Sequence, residues 1–243
     1  ANREPRFYAS VAYNGVTWWL TNATQSSDRG PYRSWYYRGE TEGMSNSLNW
    51  LQTGIGLMKY VRPTDTNDDK NINGEFSHIS KKADPLIRYA DILLMYAEAL
   101  NELDGSYQIE TWDNSGTHSI SRNEDELKKG VQPVRIRAGI PDFTPEEYGN
   151  KELFRKKIKR ERQIELMAEG QRYFDLRRWK TAEKDLNQPL MGFRIERQDN
   201  GVVSTHEFVV DGQRKFNTKM YYSPIPYSEM QLNTNLVQNP GWR

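Results

Sequence analysis

The chain has 243 residues, which is enough for one large domain or two small ones with a sizeable core. Its 34 Lys and Arg residues against 33 Asp and Glu residues give a formal net charge of +1, so charge gives no reason to expect nucleic acid or an anionic surface as a partner. The absence of cysteine excludes disulfides, thiolate metal sites and a cysteine nucleophile.

The first segment, 1–83, is predicted to be rich in loops and in aromatic side chains. Arg6–Tyr13 alternates enough to form a short strand, and Gln52–Val61 is compatible with an edge strand. Between them the composition turns to Gly, Ser, Asn and Thr, but the density of Trp and Tyr argues against disorder. Such rings suit contact with sugars or peptides, and they equally suit a core under long loops.

Neither a metal site nor a cofactor is expected. Asp65–Gly74 has the acidic spacing of a calcium loop, but Lys70 stands where the turn glycine belongs and Phe76 where the bidentate glutamate belongs. A solvated loop is therefore the better interpretation. The histidines are scattered singly among polar residues and are interpreted as surface side chains: His78, His118 and His206.

The segment 84–180 is predicted to be a helical core, and its first helix is the clearest. Asp84 is a good N-cap, Pro85 fits the first helical position, where no amide bond is lost, and Gly105 ends the helix. Small residues on the helix allow a neighbouring helix to approach closely. Its apolar face consists of Leu86, Ala90, Leu93, Leu94 and Ala97.

A polar stretch, Tyr107–Asn123, follows this helix and is interpreted as an inserted loop. Short helices are expected on either side of Pro133, with Gly139 as the C-cap of the second. The run Thr144-Pro145-Glu146-Glu147 has the pattern of a capping box with proline at the first helical position, so it predicts the start of the next helix.

The stretch Lys151–Trp179 predicts two packed helices with a sharp break at Gly170, because glycine readily adopts the left-handed conformation after a helix. On the first helix, Glu161 and Glu165 share a face with apolar residues. An unpaired buried carboxylate is costly, so both are expected to pair with arginines of the second helix. The residues assigned to this structural network are Glu161, Glu165, Arg172 and Arg177.

A second interpretation makes Glu161 and Glu165 the catalytic pair of a glycoside hydrolase, since one helical turn brings their carboxyl groups close together. However, arginines that neutralise both groups would hold the pKa of the acid low. That is the wrong direction for a general acid. The structural network is therefore the preferred interpretation.

The last segment, 181–243, is predicted to form a small β-ribbon between Met191 and Phe216, with a turn at Asn200-Gly201. An extended tail follows, with a short helix near Tyr227–Gln231. The predicted fold class is therefore mainly α, with tetratricopeptide-like helix pairs, long loops and a small β-ribbon.

An ordered series of sequence motifs, described below in chain order, resembles the C-terminal part of the SusD/RagB family. Arg3–Tyr8 resembles the family's "DPR" segment, with Glu4 in place of the usual Asp. The ordered set is specific and spans nearly the whole chain. The other motifs are Leu86–Glu102 (LIRYADILLMYAEALNE), Val134–Ile140 (VRIRAGI), Lys159–Trp179 (KRERQIELMAEGQRYFDLRRW), and Ser223–Pro226 with Gln238–Trp242 in the tail.

The resemblance implies a SusD-like fold and a non-catalytic lipoprotein on the outer membrane of Bacteroidetes. Such a protein is anchored through an N-terminal cysteine, absent from this chain, and faces outward. It binds an oligosaccharide, or in some relatives a peptide, and delivers it to a TonB-dependent transporter of the SusC type. The chain, 1–243, would be the C-terminal portion of one SusD/RagB-like domain, and the missing N-terminal half is an expected partner.

The loops of the family vary, so the candidate ligand residues rest on chemistry. Sugars are bound by stacking on aromatic faces and by hydrogen bonds from Asn, Asp and Arg. A peptide-binding scaffold of the same fold stays open as an alternative. The candidate ligand-binding residues are Trp18, Trp19, Trp35, Tyr36, Tyr37 and Trp50, with Asn22 and Arg33 as polar helpers.

Overall fold

The computed structural model describes residues 2–20, 30–40, 42–43, 51–61 and 85–242. The chain divides into two compact units. The helical unit comprises Ala1–Ala12, Trp18–Tyr32 and Leu57–Glu169. The ribbon unit comprises Tyr13–Thr17, Arg33–Gly56 and Gly170–Arg243.

The described part of the helical unit contains the helices α1 (Pro5–Ser10), α2 (Tyr89–Glu102), α3 (Glu124–Arg137), α4 (Pro145–Gly149) and α5 (Lys151–Glu165). Helix α2 packs against both α3 and α5, and α4 packs against α5. Each long helix presents apolar residues at three- and four-residue spacing, so their side chains meet in one hydrophobic core. The buried members include Leu94, Ala97, Leu127, Val131, Val134, Tyr148, Phe154 and Ile158.

Gly130 lets α2 and α3 approach each other closely. A Cβ atom placed on Gly130 would lie 2.5 Å from the backbone oxygen of Leu93 and 2.7 Å from the Cβ atom of Ala97. Three residues further on, Pro133 lies inside α3 without ending it, so the predicted interruption is wrong. Burial of the apolar side chains around Pro133 holds the helix on α2, although one backbone hydrogen bond is missing.

Capping residues set the helix starts. Thr144 Oγ1 accepts a hydrogen bond from the backbone of Glu147, whose carboxylate accepts one from the backbone of Thr144, so the predicted capping box is confirmed. Helix α5 ends at Glu165, five residues before the predicted break at Gly170. Gly170 has a φ of +79°, which confirms its left-handed conformation, and it forms the N-cap of the following helix.

Two predictions of secondary-structure elements are wrong, one near the start of the chain and one just before α2. Arg6–Tyr13 is helical as far as Ser10, because Pro5 at the first helical position favours a helix start, and only Val11–Ala12 is extended. The first long helix begins at Tyr89 rather than at Pro85. Leu86 consequently lies outside the helix and is exposed.

The described strands are short and pair two by two. β1 (Val11–Ala12) pairs with β4 (Gly56–Leu57), and β2 (Val16–Leu20) pairs with β3 (Gly30–Ser34). β5 (Ser106–Glu110) and β6 (Thr117–Ser121) form an antiparallel hairpin in the helical unit. The stretch predicted as an inserted loop is therefore a hairpin. Its strands are largely exposed, so their polar composition hid the alternation.

The ribbon unit contains α6 (Gln171–Arg178), α7 (Ala182–Leu186), β7 (Leu190–Arg197), β8 (Val203–Asp211) and α8 (Tyr227–Leu232). β7 and β8 are antiparallel, with a register shift between Leu190 and Met191. The predicted ribbon, its turn at Asn200-Gly201 and the short helix in the tail are therefore confirmed. Leu176, Ala182 and Phe216 form a small core that holds α6 and α7 in place.

Candidate functional site

Two of the candidate stacking rings lie in the helical unit, on β2. Trp18 is half-buried, whereas the side chain of Trp19 is 62% exposed. Neighbouring residues of a strand point to opposite faces, so Trp19 points outward where Trp18 points inward. Tyr32, on β3 of the same sheet, is also exposed. The prediction missed Tyr32 because no strand was expected there.

In the ribbon unit, Arg33 and Trp35 form a stacked pair. The guanidinium carbon of Arg33 lies 5.6 Å from the centroid of the Trp35 ring, which is a cation–π distance. Gly15, with a φ of +82°, makes room for this ring, because a Cβ atom there would lie 3.0 Å from Trp35 Cζ3. Arg33 is exposed and Trp35 is half-buried, so the pair offers a charged hydrogen-bond donor beside an aromatic surface.

Tyr36 and Tyr37 are buried, with 7% and 6% of their surface exposed. The backbone N–H of Tyr36 donates to Asn14 Oδ1 at 2.8 Å, and burial raises the pKa of its phenol. The hydroxyl of Tyr37 accepts a hydrogen bond from Arg197 Nη1 at 3.0 Å. Neither ring offers an open face to a sugar, because both anchor the segment after β3. This corrects the prediction for these two residues.

Other candidates lie outside the described residues: Asn22, Trp50, Asp65–Gly74 and His78. Their predicted roles stay predictions. His118 lies on β6 and His206 on β8. Within the described ranges, no three His, Asp or Glu side chains come together as possible metal ligands.

The first carboxylate singled out on α5 is buried among arginines. Glu161 is 3% exposed and accepts hydrogen bonds from Arg6 Nη1 and Arg135 Nη1, each at 2.6 Å. Arg6 comes from α1, and Arg135 comes from the last turn of α3. The two cations compensate a buried negative charge that would otherwise be too costly.

The second carboxylate, Glu165, is 5% exposed and is surrounded in the same way. It accepts hydrogen bonds from Arg6 Nη1 at 3.2 Å, Arg88 Nη2 at 2.9 Å and Arg137 Nη2 at 2.5 Å. Burial raises the pKa of Glu165, but the hydrogen bonds from Arg137 and Arg88 outweigh burial and hold the pKa below its ordinary value. Lys59 Nζ donates to the backbone oxygen of Glu165 at 2.9 Å, which satisfies a carbonyl at the end of α5.

Arg172 and Arg177, the cations predicted for this network, have other partners within the ribbon unit. Arg172 Nη2 pairs with Asp185 Oδ2 at 3.3 Å. The guanidinium of Arg177 lies 3.7 Å from the centroid of the Tyr173 ring and donates to the backbone oxygen of Met220. Arginines of α1, α3 and the N-cap of α2 form ion pairs with the two carboxylates. The acidic face of α5 turns toward those elements, and spacing along α5 does not reveal this.

A second buried ion pair was not predicted. Arg162 is 2% exposed, and its Nη1 donates to Asp91 Oδ1 at 2.8 Å. Its Nε lies 3.7 Å from Glu98 Oε2. The available signal was the spacing of Arg162 from Ile158 and Leu166, four residues away on either side, which places it on the buried face of α5.

The geometry of Glu161 and Glu165 does not fit a hydrolytic pair. A general acid needs a raised pKa, whereas the pKa of Glu165 is lowered by its arginines. Both carboxylates are also almost inaccessible to a substrate. We therefore set the glycoside hydrolase interpretation aside.

Structural relatives define the class of protein to which this chain belongs. A crystal structure of a SusD-like protein from Bacteroides fragilis NCTC 9343 matches with a TM-score of 0.72 at 26% identity, over 99% of this chain and 39% of its own. Another structure from the same organism, described as a SusD-like carbohydrate-binding protein, matches in fold with a TM-score of 0.61 at 23% identity, over 97% of this chain and 42% of its own. The fold is therefore SusD-like.

Sequence comparison gives the family itself. The model of the SusD family matches residues 1–242, so the chain belongs to the SusD family. A curated relative, SusD-like protein P2 from Formosa agariphila, is 31% identical over 160 residues, which are 64% of this chain and 25% of the relative. The chain thus spans a quarter to about two-fifths of the length of these relatives. Among the described helices, none is both long and apolar enough to cross a membrane.

Proposed function

We propose that this chain is part of a glycan-binding protein. The observation that carries the proposal is Trp19, whose side chain is 62% exposed on a two-stranded sheet in a member of the SusD family. An exposed indole offers a flat apolar face on which a sugar ring stacks. A relative of the same fold that is described as carbohydrate-binding supports this class of ligand.

Further contacts are proposed from the remaining candidates. Trp18 backs the sheet that displays Trp19, and Arg33 with Trp35 offers guanidinium donors beside a half-buried ring in the ribbon unit. Guanidinium N–H groups can donate hydrogen bonds to the hydroxyl oxygens of a sugar. Asn22 and Trp50 keep their place as candidates on chemistry alone.

The role of the whole protein is proposed from family membership. We propose a non-catalytic subunit on the outward face of the outer membrane, anchored by lipid on an N-terminal cysteine outside this chain. It delivers oligosaccharide to a TonB-dependent transporter of the SusC type. If the ligand is a peptide instead, peptides rather than sugars should bind at Trp19.

Replacing Trp19 by alanine tests the proposed stacking contact. We expect Trp19→Ala to weaken oligosaccharide binding by about 10-fold, because one aromatic stacking contact is worth roughly 0.5–1.5 kcal/mol beyond the buried area. Calorimetric titration with a panel of neutral hexasaccharides measures the loss. Tyr227→Ala, which removes an exposed ring on α8, is the control and should leave the affinity unchanged. Equal affinities of wild type and Trp19→Ala for a sugar that binds would contradict the assignment.

The helical unit carries an apolar groove that the described residues leave open. The groove has a volume of about 350 Å³, and exposed apolar residues lie next to its lining residues along the chain. Exposed patches of this kind mark interaction surfaces. The groove is lined by Arg88, Tyr89, Ala90, Leu93, Pro133, Val134 and Arg137, and the exposed apolar neighbours are Leu86, Ile87, Ile92 and Ile136.

We propose that α2 and α3 form a tetratricopeptide-like pair and that an apolar helix of the missing N-terminal half fills this groove. The length of the relatives supports this occupant, since the chain covers only 36–42% of the solved structures it resembles. Repeated helix pairs need neighbours to cover their open faces.

Hydrogen exchange on this chain and on the full-length protein tests the occupant. Amides in the first turns of α2 should exchange at least about 10-fold more slowly in the longer protein, because covering the groove suppresses local opening. The β7–β8 ribbon serves as an internal reference. Equal exchange in α2 would contradict the proposal, and so would protection that depends on the concentration of the isolated chain, which would indicate a second copy.

A further inference from the structure

The β5–β6 hairpin displays a tryptophan in solvent. Trp112, in the loop between the two strands, is 96% exposed. An indole is a large, mostly apolar group that is highly buried on average. Because the exposed ring of Trp112 does not pack against the rest of the fold, we look for its role in ligand binding.

The loop that carries Trp112 is held in shape by its own hydrogen bonds. The backbone N–H of Thr111 donates to the carbonyl of Gly116 at 2.9 Å, and that of Gly116 donates to Thr111 Oγ1 at 3.1 Å. Asp113 Oδ1 accepts from the backbone N–H of Ser115 at 3.1 Å and from its hydroxyl at 2.7 Å. The ring is therefore presented by an ordered turn, which reduces the entropy lost when a ligand binds.

The surroundings of Trp112 are polar and acidic. The hairpin from Gly105 to Ser121 contains neither Lys nor Arg, and Glu110 is exposed beside the loop. The hydroxyl of Ser115 is the main cause that lowers the pKa of Asp113 to about 2, so this carboxylate is charged at neutral pH. Phosphates and uronic acids are repelled by such a tip, whereas the hydroxyl groups of a neutral sugar donate hydrogen bonds to it.

A protein partner fits this tip poorly. Specific protein interfaces bury about 800 Å² on each partner, and one aromatic side chain supplies only about 150–250 Å². The other exposed apolar side chains of the hairpin, Tyr107 and Ile109, lie on β5 rather than in the loop. The loop itself carries one ring flanked by hydrogen-bonding groups, which matches the size and chemistry of one sugar unit, with its apolar C–H face and its rim of hydroxyl groups.

We infer that the tip of the β5–β6 hairpin is a second glycan contact, specific for neutral sugars, with Trp112 as the stacking ring and Asp113 and Asn114 as hydrogen-bonding partners. This inference rests on the proposed function, because both sites bind glycans. The hairpin tip nevertheless shares no residue with the sheet that carries Trp19. Both sites engage one long chain, or each binds a separate one.

The test uses Trp112→Ala, Trp112→Phe and, as a matched control on the same hairpin, Tyr107→Ala. The probes are neutral hexasaccharides (cello-, malto-, xylo- and laminarihexaose) and the charged hexagalacturonate. A neutral hexasaccharide should shift the indole N–H resonance of Trp112, which is assigned by its loss in Trp112→Phe. Trp112→Ala should weaken binding about 5–10-fold, Trp112→Phe less, and Tyr107→Ala not at all. Thermal unfolding should not change, because the side chain is exposed.

The outcomes separate this inference from the proposed function. If Trp19→Ala weakens binding and Trp112→Ala changes it less than about twofold, the inference fails and the proposed function stands. If only Trp112→Ala weakens binding, the inference stands and the assignment of Trp19 fails. If the wild-type protein binds none of the neutral hexasaccharides, both fail. Tighter binding of hexagalacturonate through Trp112 would overturn the inferred preference for neutral sugars.

Discussion

Replacing Glu165 by alanine is expected to lower the free energy of unfolding by about 3–5 kcal/mol, the range for removing one partner of a buried ion pair. Arg6 and Arg88, whose side chains are largely buried, would be left without this carboxylate. Arg137 is more than half exposed and can be hydrated again, so it adds little to the loss. Urea unfolding followed by tryptophan fluorescence measures the change.

Glu152→Ala, on the exposed face of the same helix, is the matched control. Its carboxylate pairs with Arg155 in solvent, so its removal should leave the unfolding midpoint nearly unchanged. Equal midpoints for Glu165→Ala and wild type would contradict the description of Glu165 as a required counter-ion of the buried arginines.

Acid should reduce the contribution of Glu165 to the free energy of unfolding. Its folded pKa lies below the usual value of 4.5, so the unfolded chain takes up the proton first. The stabilisation is therefore complete above the unfolded pKa and is lost as the pH falls through the folded pKa. The difference in stability between wild type and Glu165→Ala should be constant near neutral pH and should narrow below 4.5.

Replacing Arg162 by methionine is expected to have an effect of similar size, about 3–5 kcal/mol. Methionine keeps much of the length of the side chain but removes the guanidinium that pairs with the buried carboxylate of Asp91. Arg160→Met, an exposed position two residues earlier on α5, is the control and should change stability little. The same unfolding measurement applies.

A compensating variant tests whether charge or packing causes the loss of stability in Arg162→Met. Adding Asp91→Asn and Glu98→Gln to Arg162→Met removes the buried negative charges that faced the guanidinium, so part of the lost stability should return. If the triple variant is no more stable than Arg162→Met, the loss comes from packing of the long side chain, and the ion-pair account is contradicted.

The features that could be predicted from the sequence depend on interactions within a few residues. The capping box at Thr144, the left-handed Gly170 and the apolar spacing of Phe154 and Ile158 are of this kind. The sequence also indicated that Glu161 would be buried and paired, because it shares a helical face with Phe154 and Ile158. Each of these signals is local, and local structure follows them here.

The features that could not be predicted depend on distant residues. Asp84-Pro85 is a strong helix-start signal, yet α2 begins at Tyr89, because Arg88 is held in an extended conformation by carboxylates of α5 and of the turn that follows it. The partners of Glu161 come from the first residues of the chain and from α3, which no spacing on α5 identifies.

The candidate site shows the same limit. The chemistry of Trp and Tyr identified a set of possible stacking rings, but their exposure depends on strand pairing. Trp18 and Trp19 are adjacent and differ only in the face of β2 to which they point. Tyr36 and Tyr37 follow Trp35 directly, yet both are buried. Trp112 was missed because a polar stretch was interpreted as a loop rather than as a hairpin.

The bond between Arg6 and Glu161 joins residues 155 positions apart, so it forms only after the chain has closed a very long loop. The contact of α1 with the acidic face of α5 is therefore expected to form late in folding, after Arg135 of α3, only 26 residues away, has paired with Glu161. Interactions that form after the transition state slow unfolding and leave the folding rate almost unchanged. We therefore expect the contacts of α1 to slow unfolding more than they speed folding.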